Sequence, residues 1–236
     1  NLSWDLWLGV APNRPFAPGV YHPFKWRGWY DFGSGALGDM GCHIIDPVYW
    51  ALGLEAPTAV SYEGPTPTKE SFPKWERIHY EFPGTNYTSG KTIQVTWHDG
   101  SKKPNPAHCD LPGDTKIPDN GIIFVGENGV LVTQHGSRGL PKLYPEKDFK
   151  DYEMTIIPAS NHYEQWVNAI SGKGTPSSNF DYAGPLCETV LLGCVASQVP
   201  GLKLEWDAKA LRFKNSSAAD ALLRQEYRKG WEVAGL

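Results

Sequence analysis

Hydrophobic residues recur along this chain with two different periods, and the change of period divides it. From Ala36 to Leu52 the apolar positions Leu37, Met40, Ile44, Val48 and Ala51 fall at three- and four-residue steps, the spacing of one face of an α-helix. Gly53 closes that run as a C-cap, and Pro47 inside it predicts a kink, or a restart with Asp46 as the cap. Strand patterns follow over Thr58–Glu63, Arg77–Phe82 and Thr92–His98, where apolar and polar residues alternate. In the last of these, Ile93, Val95 and Trp97 face one way while Thr92, Gln94, Thr96 and His98 face the other. Gly121–Val125 and Val130–Gln134 flank Gly126-Glu127-Asn128-Gly129, a hairpin with Asn-Gly as its turn. Pro141–Tyr144 adds a short strand. Helical spacing returns over His162–Ser171 and Gly184–Ser197, followed by a strand at Lys203–Trp206 and an amphipathic helix at Ala218–Lys229.

Ahead of these elements, the stretch up to about Tyr30 is rich in Pro, Gly and aromatic residues, with a short helical turn predicted at Ser3–Leu8. One-sided strands with helices at both ends of the chain predict an α+β fold, an open, largely antiparallel β-sheet with helices on one face. The expected organisation is a single substrate-binding and dimerisation domain over residues 1–236, with an irregular aromatic, Pro-rich segment at 1–32. Arg77, His79, Glu81, Gln94, Thr96 and His98 would then share the outer sheet face, polar and of mixed sign, which must be wet or covered by a partner.

Charge narrows the possible partners. The chain carries 22 Lys+Arg against 26 Asp+Glu for a net charge of −4, with no basic stripe for nucleic acid. Apolar runs such as Val190–Val195 fall far short of the ~20 residues of a membrane span. Neither nucleic acid nor membrane is therefore expected as a partner. The N-terminal Asn1-Leu2-Ser3-Trp4-Asp5 shows no targeting signal. Cys42, Cys109, Cys187 and Cys194 form no close pair, which argues against structural zinc. Cys187 and Cys194 stand seven apart in an apolar helical pattern and are expected as small buried hydrophobes. Ten Trp and eleven Tyr are many for this length. Their rings suit the C–H faces of sugars, and equally suit core filling.

Candidate chemistry concentrates in one stretch. Gly33-Ser34-Gly35-Ala36-Leu37-Gly38 is a literal GxGxxG running into a helix. What precedes it, Trp26-Arg27-Gly28-Trp29-Tyr30-Asp31, is not the buried apolar strand that a dinucleotide fingerprint requires. A Gly-rich entry to a helix that packs close to something else is the expected meaning, and no cofactor-binding residue is assigned in this chain. Asp39 and His43 stand four apart, one turn above the other on a single helix face. Such a pair is either a proton relay on a substrate hydroxyl or a helix-stabilising ion pair. Asp46 would complete a trio with them, but Asp-x-x-x-His-x-x-Asp is not a strong metal pattern, and no metal is expected. Arg27 and Lys25, flanked by Trp26 and Trp29, are candidates to hydrogen-bond sugar hydroxyls, with plain surface charge as the alternative. His79, His98 and His135 have no supporting motif.

The segment Gly33-Ser34-Gly35-Ala36-Leu37-Gly38-Asp39-Met40-Gly41-Cys42-His43-Ile44-Ile45-Asp46 resembles the GGGxLxDxGxHxxD segment of the glucose–fructose oxidoreductase, inositol dehydrogenase and rhizopine-catabolism (Gfo/Idh/MocA) family. Further segments resemble one bacterial branch of that family: Trp4-Asp5-Leu6-Trp7-Leu8-Gly9, Tyr21-His22-Pro23-Phe24-Lys25-Trp26-Arg27, Gly121-Ile122-Ile123-Phe124-Val125-Gly126, Ser178-Asn179-Phe180-Asp181-Tyr182-Ala183-Gly184 and Leu204-Glu205-Trp206-Asp207. The resemblance implies that His43 is the general acid/base and Asp39 its support. It implies too that His162 lies near the sugar pocket, and that a third catalytic group, the Lys of a Glu-Lys-Pro tripeptide, belongs to an N-terminal Rossmann domain. No such tripeptide occurs here. The implied function is the substrate-binding, acid/base half of an oxidoreductase acting on a CH–OH group of a sugar, cyclitol or related polyol. NAD or NADP would be bound mainly by the N-terminal domain, and this chain would be a truncated piece or a natural stand-alone domain.

Three alternatives stay open: an NAD-recycling, glycoside-cleaving enzyme of the same family, a non-catalytic sugar-binding or assembly domain, and a metal-dependent hydrolase on Asp39, His43 and Asp46. The family also implies a homodimer or dimer of dimers through the open sheet face, and a bacterial cytoplasmic or periplasmic location, with export more common in this branch.

Overall fold

The alternating segments fold as strands and pair antiparallel throughout. The computed structural model, which describes residues 2–136 and 139–235, contains β1 (Ala59–Glu63), β2 (Arg77–Pro83), β3 (Thr92–His98), β4 (Gly121–Val125), β5 (Val130–Gln134), β6 (Lys142–Tyr144), β7 (Leu204–Asp207) and β8 (Arg212–Phe213). Five of them form a sheet in the order β3-β2-β1-β7-β8, and the other three form a second sheet, β4-β5-β6. The fold is thus α+β with open antiparallel sheets, two of them where the sequence suggested one. In the larger sheet Ile78 lies opposite Trp97, Tyr80 opposite Val95 and Phe82 opposite Ile93, so all six side chains share the inner face. Ile78, Tyr80 and Phe82 are each 0% exposed, and burying a side chain of this size contributes ~1.5–3 kcal/mol. The outer face pairs polar residues across strands: Arg77 donates to Glu63 at 2.6 Å, Gln94 to Glu81 at 3.1 Å, and Lys203 to Glu81 at 3.1 Å.

The helices are α1 (Trp4–Leu8), α2 (Gly35–Ile44), α3 (Asp46–Leu52), α4 (His162–Ile170), α5 (Phe180–Ala196) and α6 (Ser217–Ala221). The break between α2 and α3 falls at Ile45, and Pro47 sits in the first turn of α3, where its missing N–H is tolerated. Asp46 is not the cap, however. Ile45 holds that position without a side-chain bond, because the Asp46 carboxylate accepts the Tyr182 hydroxyl at 2.6 Å instead. Gly53 ends α3 in the left-handed region at φ 59°, and the Leu54 N–H donates to the Tyr49 carbonyl at 3.0 Å.

Three other expectations are corrected. Helix α5 begins at Phe180 rather than Gly184, because the Asn179 side chain caps it by accepting the Tyr182 N–H. On that helix Cys194 is buried, but Cys187 is exposed. Helix α6 stops at Ala221, well before Lys229. The chain beyond it is drawn onto the N-terminal segment, where Arg228 donates to Asp5 at 2.5 Å, Asn13 at 2.6 Å and the Gly9 carbonyl at 2.9 Å. The first 32 residues, irregular in sequence, are ordered by their own rings. Trp4 stacks on Trp7 at 4.8 Å, Trp7 meets Phe32 at 4.8 Å and Tyr21 meets Trp29 at 4.9 Å. The Arg14 guanidinium lies over Tyr21, Trp29 and Phe32 and is ion-paired with Asp31.

Glycines let α2 lie close against α5. A Cβ on Gly41 would stand 3.1 Å from Val190, whereas one on Gly38 would collide with the Ser34 side chain that precedes α2. From the opposite helix, a Cβ on Gly193 would collide with the Tyr80 hydroxyl and the Leu37 side chain. The Gly-rich entry is therefore a packing device. Gly193→Ala should destabilise the chain by ~1–3 kcal/mol, seen as a drop of several degrees in thermal unfolding by circular dichroism. An unchanged Tm would mean that the helices do not approach this closely.

Below this contact the interior contains an acid. Glu76 is 2% exposed, its N–H donates to Asp99 at 2.6 Å, and one of its carboxyl oxygens has no partner among the described residues. Burial, with the Asp99 carboxylate beside it, pushes the Glu76 carboxyl up to about 8. A folded value above the unfolded one means stability that is full below about pH 4.5 and declines as pH rises through about 8. Discounted for relaxation of the site, the loss should be ~2–4 kcal/mol. Glu76→Gln should flatten the fall of Tm with pH over that range, and parallel slopes for the two proteins would refute the assignment.

Candidate functional site

Helix α2 carries three faces with three tasks. Leu37 and Gly41 are buried towards α5. Ala36, Met40 and Ile44 border a trough of about 1810 Å³ that also touches Ile93 and Val95 of β3 and Ile122 and Phe124 of β4. The third face presents Asp39 and His43, both exposed. The trough exceeds the ~300–1,000 Å³ of a small-molecule pocket, and neither Asp39 nor His43 lines it.

Asp39 and His43 share a face but are not hydrogen-bonded to each other. The Asp39 carboxylate instead accepts from the Arg27 Nε at 3.3 Å. Arg27 sits in a single 3₁₀ turn, Lys25–Gly28, which places its guanidinium 4.1 Å from the Phe24 ring centre and 4.4 Å from that of Trp26. Between two rings the guanidinium has few other orientations, so it fixes the carboxylate. Lys25 stands exposed on the same turn. The His43 ring lies 5.9 Å from that of His135, on the residue that follows β5. The structure thus gathers Trp26, Arg27, Asp39, His43 and His135. No sequence motif pointed to His135, since the contact joins a turn of the small sheet to a helix far away in the chain.

His162 is elsewhere. It opens α4, exposed, with its ring 4.0 Å from that of Tyr163. Asp46 does not join Asp39 and His43, being held by Tyr182, whose own hydroxyl is pushed up first by burial and then by this carboxylate. The Cys42 thiol, beside His43 in sequence, is likewise pushed up by burial, with Cys187, Asp39 and Asp46 adding to it. Among the described residues no group of three His, Cys, Asp or Glu is placed to hold a metal.

The residues of the GxGxxG do not fit a dinucleotide. A Cβ on Gly33 would stand 2.7 Å from the Arg27 Cα, and one on Gly35 would stand 2.8 Å from the Phe72 ring. Both glycines are used to bring chain against chain. The Gly33 N–H is spent on the Trp29 carbonyl at 2.8 Å, and Trp29 makes only an isolated bridge to Ser71. The cradle of free N–H groups on a strand–helix turn that would hold a pyrophosphate is not built here.

What the site offers is an exposed imidazole, able to accept or donate a proton, one helical turn from a carboxylate whose orientation is fixed by a guanidinium. Compared with known families, residues 1–112 match the model described as "Oxidoreductase family, C-terminal alpha/beta domain". Comparison with curated proteins gives no match.

Proposed function

We propose, from the match of residues 1–112 to the oxidoreductase-family C-terminal domain model, that this chain binds a sugar, cyclitol or related polyol and moves the proton of its reacting hydroxyl. His43 acts as the general acid/base. Asp39, held by Arg27, keeps negative charge one helical turn away, where it supports the protonated ring. Trp26, Lys25 and Arg27 form the wall on which the sugar rests, a ring face and donors side by side. The observation that carries the reading is the placement of His43, exposed on a buried and tightly packed helix, with a fixed carboxylate on the same face. NAD or NADP would supply the hydride acceptor, and since Gly33 and Gly35 of the GxGxxG are used for close chain packing, a separate nucleotide-binding unit would hold it. In an assay with that unit present, His43→Ala should lower turnover by about 100- to 10,000-fold while leaving nucleotide affinity nearly intact. Unchanged turnover would refute the role.

Assembly follows from the outer face of the five-stranded sheet. Glu63, Arg77, His79, Glu81, Gln94 and Lys203 make a surface of mixed sign whose hydrogen bonds run across the strands, with no helix covering it among the described residues. Such a face suits a contact between identical copies, because each charge can meet its opposite under a two-fold rotation. We propose a homodimer or dimer of dimers made sheet to sheet. Light scattering of the chain should give at least twice the 26.2 kDa of one copy, and a monomer mass would mean that the face is wet.

A further inference from the structure

We propose that His135 is a second ligand-contacting imidazole of the His43 site, and that the two rings together bind a pair of neighbouring hydroxyl groups on the substrate. The inference deepens the reading above and rests on it. The two rings come from unrelated parts of the fold: His43 from α2, on the inner side of the five-stranded sheet, and His135 from the end of β5 in the small sheet. Their centres are 5.9 Å apart and their planes are inclined by 40°. Both residues are exposed. The backbone fixes the position of His135. Its N–H donates to the Asn120 carbonyl at 2.9 Å, which extends the β4–β5 ladder by one step, and Gly136 then turns the chain with φ 69°.

At 5.9 Å the rings are too far apart to bond to each other. They are close enough that a hydrogen bond of ~2.8 Å from each lands on adjacent hydroxyls of one carbon skeleton. The chemistry is matched as well. A neutral imidazole has one N–H donor and one acceptor nitrogen, and a hydroxyl both donates and accepts, so a diol satisfies both rings at once. His43 would take the reacting hydroxyl and His135 the hydroxyl beside it. A substrate lacking that second hydroxyl leaves one imidazole with water only, and loses the corresponding affinity.

The test uses the chain itself, with its histidines labelled with nitrogen-15 and followed by two-bond proton–nitrogen spectra during titration with D-glucose and with myo-inositol. At least one of these polyols should shift the His43 and His135 ring signals together, with one saturation curve. His135→Ala should weaken that binding roughly tenfold, about 1.4 kcal/mol, and His135→Gln, which keeps a donor and an acceptor, should recover part of it. A polyol that shifts His43 and leaves His135 unmoved overturns the proposal while sparing the functional reading. If neither polyol moves either ring, the chain does not bind these substrates, and the functional reading falls with the proposal.

Discussion

The close approach of α2 to α5 is the constraint on which the rest of the structure depends. Two ordinary helices are kept apart by their side chains, whereas here Gly41 on one and Gly193 on the other remove the intervening side chains. The consequence is rotational as much as spatial. With Leu37 and Gly41 committed to the interface, the 3.6-residue period of the helix leaves Asp39 and His43 no direction but outward. A bulkier side chain at Gly41 would rotate or lift α2, and would move the imidazole together with the core.

A second layer of restraint reaches the site from the chain ends. Arg228 ties the C-terminal tail to Asp5, Gly9 and Asn13, and the rings of Trp4, Trp7, Tyr21, Trp29 and Phe32 enclose Arg14. This cluster holds the Trp29–Phe32 turn, against which the 3₁₀ turn with Arg27 is placed. Gly33 then touches the Arg27 backbone directly. The position of the guanidinium on Asp39 is therefore inherited from the aromatic cluster, which explains why so many rings lie in a segment without regular structure. They are consumed by each other rather than displayed to a sugar; Trp26, half-buried beside Arg27, is the one that stays with the site.

How much of this was legible in the sequence depends on how local each cause is. The strands at 59–63, 77–83 and 92–98 were readable because one sheet face is buried and period two records it. The hairpin at 121–134 was readable from its two apolar runs, but Asn128-Gly129 is not its turn pair: neither residue takes a positive φ, the Gly126 N–H donates to the Gly129 carbonyl around Glu127-Asn128, and a Cβ on Gly129 would meet the Tyr144 carbonyl at 2.5 Å. Asp39 and His43 were readable because four residues is one helical turn. Effects acting at a distance were not: Asp46 is taken by Tyr182 from another helix, and the tail cannot stay helical while Arg228 reaches the N-terminal segment. The helical spacing was read from Gly184, yet the Asn179 cap sets the helix start four residues earlier, at Phe180. Strand β8, two residues long, is too short to show any period.

Helix α4 shows what remains outside this economy of contacts. Tyr163, Trp166, Val167 and Ile170 follow the helical period as a clean apolar stripe, and each is more than half exposed. A helix of nine residues is marginal in water on its own, and four exposed apolar side chains on one side of it are a surface that favours a neighbour. His162 opens this helix, so its direction follows from whatever the stripe rests on. His162 thus differs from His43 in what places it: the imidazole on α2 is set by packing inside the chain, whereas the one on α4 opens a helix whose apolar stripe is left exposed.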